Sequence, residues 1–160
     1  MGIKITNYIF NEILNSLDEN GKNLVKRLHE QAISLGYVSK ISAMGKKADD
    51  WKCEYIRNKN VLYILRITND QWFIRCKLFN ISKYNNILEK CNDHCIEILL
   101  KNSAGCGNHG GRCKGPIDFS IKGMKYSKCR RSFTLKDLID KDIDDINKLL
   151  EYENYFVEKK

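Results

Sequence analysis

The chain of 160 residues lacks any stretch of about 20 consecutive apolar residues, which excludes an ordinary membrane-spanning helix. Its N-terminal region has neither a continuous apolar segment nor a small-residue cleavage site, so we expect no export signal. We therefore expect a cytoplasmic protein without a membrane partner. In a reducing compartment, the seven cysteines are expected to be free thiols and metal ligands, not disulfides.

The common catalytic motifs are also missing. The chain has no GxxxxGKS/T phosphate loop, no HExxH motif and no GxSxG motif. It has three histidines, and no spacing identifies a catalytic pair of histidine with serine or cysteine. A GxGxxG match at residues 105–110 follows a predicted helix and precedes a predicted strand, the reverse of a dinucleotide site. The sequence therefore assigns no enzymatic reaction.

A glycine-rich loop carries the most specific motif that is present. Two residues separate Cys106 from His109, three separate His109 from Cys113, and Cys129 follows after fifteen more. The short gaps let these side chains reach one ion, and the glycines let backbone amides approach sulfur. We predict a zinc site formed by Cys106, His109, Cys113 and Cys129.

The other cysteines receive a different interpretation. Cys53 and Cys76 lie among apolar residues of predicted strands, where a free cysteine behaves as a small hydrophobe. Cys91 and Cys95 flank His94 in a segment whose apolar residues recur at helical spacing. Helix packing is the favoured interpretation of that segment, and Cys95 is the reserve fourth zinc ligand.

The net charge of +8 is concentrated around the cysteine loop. Residues 101–133 contain eight Lys and Arg but one acid, whereas residues 134–160 contain five Lys and Arg and eight acids. Such clustering suggests nucleic-acid binding, although cations beside thiolates also offset the negative charge of a zinc site. The candidate phosphate-binding residues are Arg112, Lys114, Lys125, Lys128, Arg130 and Arg131. The aspartates of 137–145 are predicted to be the solvated face of the last helix, with a hard-metal site as the alternative.

Length and composition predict a single domain over 1–160, and the residue pattern places a Cys-rich loop and hairpin at 102–133. The fold class is α+β: an antiparallel sheet with helices packed on one side and a C-terminal metal-pinned hairpin and helix. A capping box at Thr134–Asp137 is predicted to start the last helix, which runs to about Tyr155. The predicted helices are 7–17, 21–35 and 83–101, with a turn at 18–21, and the predicted strands are 51–57, 61–68, 71–79, 117–121 and 124–133.

The order of these elements, with the strands WKCEYI and QWFIRCKLF and the later Cys129, resembles a family of small uncharacterised bacterial proteins. That resemblance implies a zinc-type C-x2-C-x3-C loop, then a strand and a further cysteine. His109 stands where the second family cysteine would be, an exchange that preserves zinc ligation. The resemblance implies no activity.

Three functional classes follow from these observations. The first is a small zinc-binding protein in which the metal is structural and the activity is binding or regulatory, toward a protein or small ligand. The second is nucleic-acid binding through the basic hairpin 112–131. The third is a thiol redox or metal-dependent enzyme in which one of Cys106, Cys113 and Cys129 stays reactive or the ion keeps an open position.

Overall fold

The structure is a computed structural model that describes residues 9–44, 50–101, 115–129 and 133–158. The chain divides into two compact units, Met1–Arg75 and Cys76–Lys160. Helices and antiparallel strand pairs occur in both units, so the predicted α+β class is confirmed. No helix within the described ranges has the length and apolarity that crossing a membrane requires.

The first unit begins with two helices close to the predicted positions, 9–14 (α1) and Glu19–Ser34 (α2). The predicted turn at 18–21 is replaced by the start of α2. The carboxylate of Asp18 accepts a hydrogen bond from the Gly21 amide at 2.6 Å, so Asp18 is the N-cap. The residue types of 18–21, which predicted a turn, also occur at the start of a helix.

The described residues that follow form four strands, each beside the next in chain order: Val38–Ala43 (β1), Asp50–Arg57 (β2), Asn60–Thr68 (β3) and Gln71–Cys76 (β4). The pairs β1–β2 and β2–β3 are antiparallel, as the predicted meander requires. Asn58 and Lys59 both have positive φ, which suits a two-residue hairpin turn. Strand β1 was not predicted, because this edge strand has no buried residue and so lacks a clear apolar pattern.

Helix α2 packs on one face of this sheet. The buried Tyr63 hydroxyl donates to the Leu28 carbonyl at 2.8 Å, and the Tyr55 hydroxyl lies 2.8 Å from Nδ1 of His29. Phe10 of α1 stacks on the His29 ring with 4.1 Å between centroids. His29 is therefore part of the packing between helices and sheet.

In its described residues, the second unit contains a short 3-10 turn, three helices, a hairpin and one further strand. In chain order the elements are the 3-10 turn Ile81–Lys83, Asn85–Lys90 (α3), Asp93–Lys101 (α4), Ile117–Ile121 (β5), Met124–Lys128 (β6), Phe133–Lys136 (β7) and Asp140–Glu158 (α5).

The predicted single helix over 83–101 is wrong, because the helix is interrupted at Cys91. Cys91 is extended, with φ −66° and ψ 148°. The side-chain oxygen of Asn92 then accepts a hydrogen bond from the Cys95 amide at 3.0 Å and caps α4. The break places Cys91 just outside the helix that carries Cys95.

The predicted hairpin is confirmed, with Ile117 opposite Lys128 and Ile121 opposite Met124. Its return strand ends at Lys128, earlier than the predicted 133.

The predicted start of the last helix is wrong. Thr134 belongs to β7, and Asp137 has a φ of 57°. Helix α5 begins at Asp140, and Asp142 accepts a hydrogen bond from the Ile139 amide at 2.9 Å, as an acidic residue does in a capping box. Ile139, directly before α5, is 42% exposed.

The apolar face of α5 is buried, and α5 contacts both α3 and α4. This packing brings the first turns of α5 against the α3–α4 junction. The buried apolar residues of α5 are Ile143, Ile146, Leu149 and Leu150, and Leu138, just before the helix, is also buried.

Candidate metal centre

Two cysteines and one carboxylate meet where the α3–α4 junction contacts α5. Ligand atoms of Cys91, Cys95 and Asp145 all lie within 4.8 Å of one another, and both cysteines are buried. It is a group that could hold a metal ion. All three residues belong to the second unit.

Asn92 positions two members of this group. Its side-chain oxygen caps α4 at the Cys95 amide. Its backbone amide and its side-chain amide both donate to Oδ2 of Asp145, at 2.8 and 2.6 Å. One asparagine thus sets the first turn of α4 and orients the carboxylate that α5 supplies.

A second carboxylate of α5 lies one helical turn earlier. Asp142 is 0% exposed, and its Oδ2 lies 2.7 Å from Nδ1 of His94. The same Oδ2 accepts the Ile139 amide. Its Oδ1 is buried and has no hydrogen-bond partner among the described residues.

The Sγ atoms of Cys91 and Cys95 lie within 4.8 Å of one another, and the Cys91 thiol donates a hydrogen bond to the Ile87 carbonyl at 3.3 Å. The neighbouring Cys95 thiol lowers the pKa of Cys91, against the opposing effects of burial and of Asp145. The same pairing, together with burial, raises the pKa of Cys95. In contrast, burial raises the pKa of Cys53 to about 11. Thiolate is the form that binds metal, so Cys91 differs chemically from a core cysteine.

The spacing of the donors is close to what a tetrahedral ion needs. Zinc–sulfur bonds of about 2.3 Å and zinc–oxygen bonds of about 2.1 Å place neighbouring ligand atoms ~3.5 to 3.8 Å apart. Donor atoms that are at most 4.8 Å apart can therefore reach these separations when the side chains move by about 1 Å. Small rotations of Cys91, Cys95 and Asp145 would complete three bonds.

The zinc site predicted from the sequence stays a prediction. Cys106, His109 and Cys113 lie outside the described residues. Cys129 is a half-buried free thiol directly after β6. The reserve ligand Cys95 groups with Cys91 and Asp145, and Cys129 is not a member of that group.

The interpretation of Cys53 and Cys76 as core residues is confirmed, since they are 4% and 1% exposed. Packing of Cys91 and Cys95 is also confirmed by their burial. The interpretation of the aspartates as a solvated face is wrong for Asp142, which is fully buried. The C-x3-C spacing of the two cysteines was a usable signal for a site.

The basic residues are only partly described. Lys125 is exposed and Lys128 is half-buried on β6. The other four candidates lie outside the described residues: Arg112, Lys114, Arg130 and Arg131. Lys122, at the hairpin turn, lies 3.1 Å from Asp93 at the start of α4.

Comparison of the chain with protein-family models, curated proteins and solved structures gave no match.

Proposed function

We propose that this protein binds zinc and that the ion has a structural role, tying the α3–α4 junction to α5. The observation that carries this proposal is the group of Cys91, Cys95 and Asp145, with ligand atoms within 4.8 Å of one another. Such a cross-link joins residues at least fifty positions apart in the chain. It would stabilise the fold of the second unit by binding the folded state alone.

The donor types favour zinc over calcium or magnesium. Calcium and magnesium take oxygen ligands, whereas two cysteine sulfurs select zinc and other soft or borderline ions. The burial of both cysteines favours a structural ion over an exposed catalytic one. Cysteine ligands need a reducing environment, so we propose a cytoplasmic location.

The loop ligands remain part of the proposal as a second set. Cys106, His109, Cys113 and Cys129 have the donor types and short spacing of a zinc site. Substitution of one cysteine in each set distinguishes the two sets of zinc ligands. Cys91→Ser removes a donor from the first, and Cys113→Ser removes one from the second.

Elemental analysis of protein purified and reconstituted under reducing conditions tests the proposal. We expect bound zinc in the wild type and the loss of about one zinc per chain in Cys91→Ser. Cys53→Ser is the matched control, because Cys53 is buried in the other unit and should not affect zinc content. Less than ~0.2 zinc per chain in the wild type would refute zinc binding, and unchanged zinc in Cys91→Ser would refute this site.

A second candidate function is nucleic-acid binding through the hairpin. It is supported by the exposed lysines Lys122 and Lys125 and by the 63% exposed Met124 between them. Cations at a hairpin tip suit phosphate contacts. A binding or regulatory role of the zinc protein is compatible with this surface. The salt dependence of oligonucleotide binding tests the proposed nucleic-acid binding.

A further inference from the structure

One face of the β5–β6 hairpin is buried on β5 and partly exposed on β6. Ile117, Phe119 and Ile121 alternate along β5, so they share a face, and each is at most 6% exposed. Helix α3 and the 3-10 turn contact β5. The residues opposite them in the antiparallel register lie on the same face of β6, and all are exposed or half-buried. This β6 strip consists of Met124, Tyr126 and Lys128.

The β6 strip joins an exposed apolar side chain to an aromatic ring. Met124 is 63% exposed, and the Tyr126 hydroxyl lies 3.9 Å from its sulfur. The half-buried ring of Tyr126 is stacked on the buried ring of Phe119, with 5.8 Å between the centroids. Phe119 therefore supports the Tyr126 ring from inside the fold, while part of that ring stays accessible. An accessible ring beside a flexible methionine is a surface on which a planar group can stack.

Lysines surround this strip. Lys122 lies in the hairpin turn, Lys125 is exposed on the opposite face of β6, and Lys128 ends the strip. The ion pair of Lys122 with Asp93 joins two exposed side chains, so it is weak and leaves the lysine accessible to another anion. Among the described residues 115–129, Asp118 is the one acid. The charge of the hairpin therefore fits an anionic ligand.

The apolar part of the strip narrows the choice among polyanions. In a duplex the bases are stacked on one another inside the helix, so a protein surface of this kind would meet mainly phosphates. In a single strand, the bases can stack on an aromatic ring while lysines contact the backbone. A second copy of the chain fits poorly, because two basic hairpins repel each other.

We propose, on the basis of the nucleic-acid binding proposed above, that the ligand of this hairpin is a single-stranded nucleic acid with a base stacked on Tyr126. Met124 contacts the next base, and Phe119 is a positioning residue that holds the stacking ring. Lys122, Lys125 and Lys128 contact phosphates.

Fluorescence anisotropy of a labelled oligothymidine, titrated with the full, reduced chain, tests the proposal. Three phosphate contacts on a single strand predict an affinity that falls about 20-fold between ~50 and ~200 mM salt. A strand of the same length without bases keeps the phosphates, and the wild type should bind it at least ~5-fold more weakly. A duplex of the same length should also bind more weakly than oligothymidine.

Two substitutions of Tyr126 isolate the stacked base. Tyr126→Leu keeps an apolar side chain against Phe119 and should weaken oligothymidine binding at least ~5-fold, with no change for the strand without bases. Tyr126→Phe keeps the ring and should retain most of the affinity. Tyr152→Leu, which removes a 41% exposed tyrosine of α5, is the matched control and should equal the wild type.

The possible failures are distinguishable. Equal affinity of the wild type for strands with and without bases would overturn the stacking, and this comparison does not depend on the folding of a variant. Tighter binding of the duplex, or of a glutamate-rich peptide at the same salt, would overturn the single strand as the ligand. No binding of any strand near ~50 mM salt would instead refute nucleic-acid binding itself.

Discussion

Asn92→Ala is the most informative single perturbation of the metal centre. The asparagine side chain makes three hydrogen bonds. Its oxygen accepts the Cys95 amide at 3.0 Å, and its amide donates to Asp145 at 2.6 Å and to the Lys141 carbonyl at 3.3 Å. Alanine removes all three and keeps only the backbone amide bond to Asp145.

The expected loss of stability follows mainly from the bonds to the Cys95 amide and to Asp145. An N-cap side chain contributes about 0.5–2 kcal/mol, and a hydrogen bond to a charged group about 1.5–3 kcal/mol. Asn92 is half-buried, which places both contributions in the lower part of their ranges. We expect a total loss of about 2–3 kcal/mol, or a melting temperature lower by about 4–12 °C for a chain of this size.

Thermal unfolding monitored by circular dichroism, in excess chelator, measures this loss without the metal contribution. Asn92→Ser is the matched control, since serine keeps an N-cap oxygen but has no amide to donate to Asp145. It should lose less than alanine. Zinc affinity should fall about 10- to 100-fold in Asn92→Ala, because Asp145 loses a positioning bond. A melting temperature within ~1 °C of the wild type would refute this account of α4 and Asp145.

Three further predictions concern pH, metal removal and salt. Burial raises the pKa of Glu153, whose carboxylate accepts bonds from Asn80 and Tyr84. The folded state therefore binds this proton more tightly than the unfolded state, so its contribution to stability is present at low pH and is lost as pH rises through the raised pKa. The pH dependence of the melting temperature should be flatter in Glu153→Gln, and an unchanged profile would contradict this assignment. Chelation of the zinc-loaded protein should lower the free energy of unfolding by about 2.7 kcal/mol relative to free zinc at 100 times Kd, while helical circular dichroism persists. Complete loss of structure would show that zinc is needed for the whole fold. Oligonucleotide binding should weaken in Lys128→Ala/Arg130→Ala/Arg131→Ala at low salt, with a difference that shrinks as salt rises, and no binding of the wild type near ~50 mM salt would exclude nucleic acid as a partner.

The elements that the sequence predicted well are those whose burial repeats regularly. Helix α2 and strands β2 and β3 each have a strong apolar pattern, and their observed bounds lie within two residues of the predicted ones. Turn residues located the hairpin at Lys122 and Gly123, where positive φ is required. These elements could be predicted from the sequence because their own apolar pattern and turn residues are enough to determine them.

The errors occurred where tertiary contacts decide the structure. Strand β1 has no buried residue and is defined by pairing with β2. The residues Thr134–Asp137 have capping-box spacing, yet Thr134 joins a strand and α5 begins three residues after Asp137. A capping pattern specifies a helix start only when no strand partner competes for the same residues.

Only part of the candidate site could be predicted from the sequence. Cys95 was the reserve fourth ligand of the loop site, whereas Cys91 was interpreted only as a packing residue. Their partner Asp145 is at least fifty positions away in the chain, and the packing of α5 on α4 brings it near. Asp142 resembled a solvated acid because sequence spacing alone does not show which face of a helix is covered.

A crystal structure of the zinc-loaded protein, with an anomalous difference map at the zinc absorption edge, tests the central claim most directly. We predict a zinc peak at about 2.3 Å from the sulfurs of Cys91 and Cys95 and about 2.1 Å from a carboxylate oxygen of Asp145. Absence of a zinc peak at these three residues, with or without zinc bound at the Cys106–Cys113 loop, would contradict it.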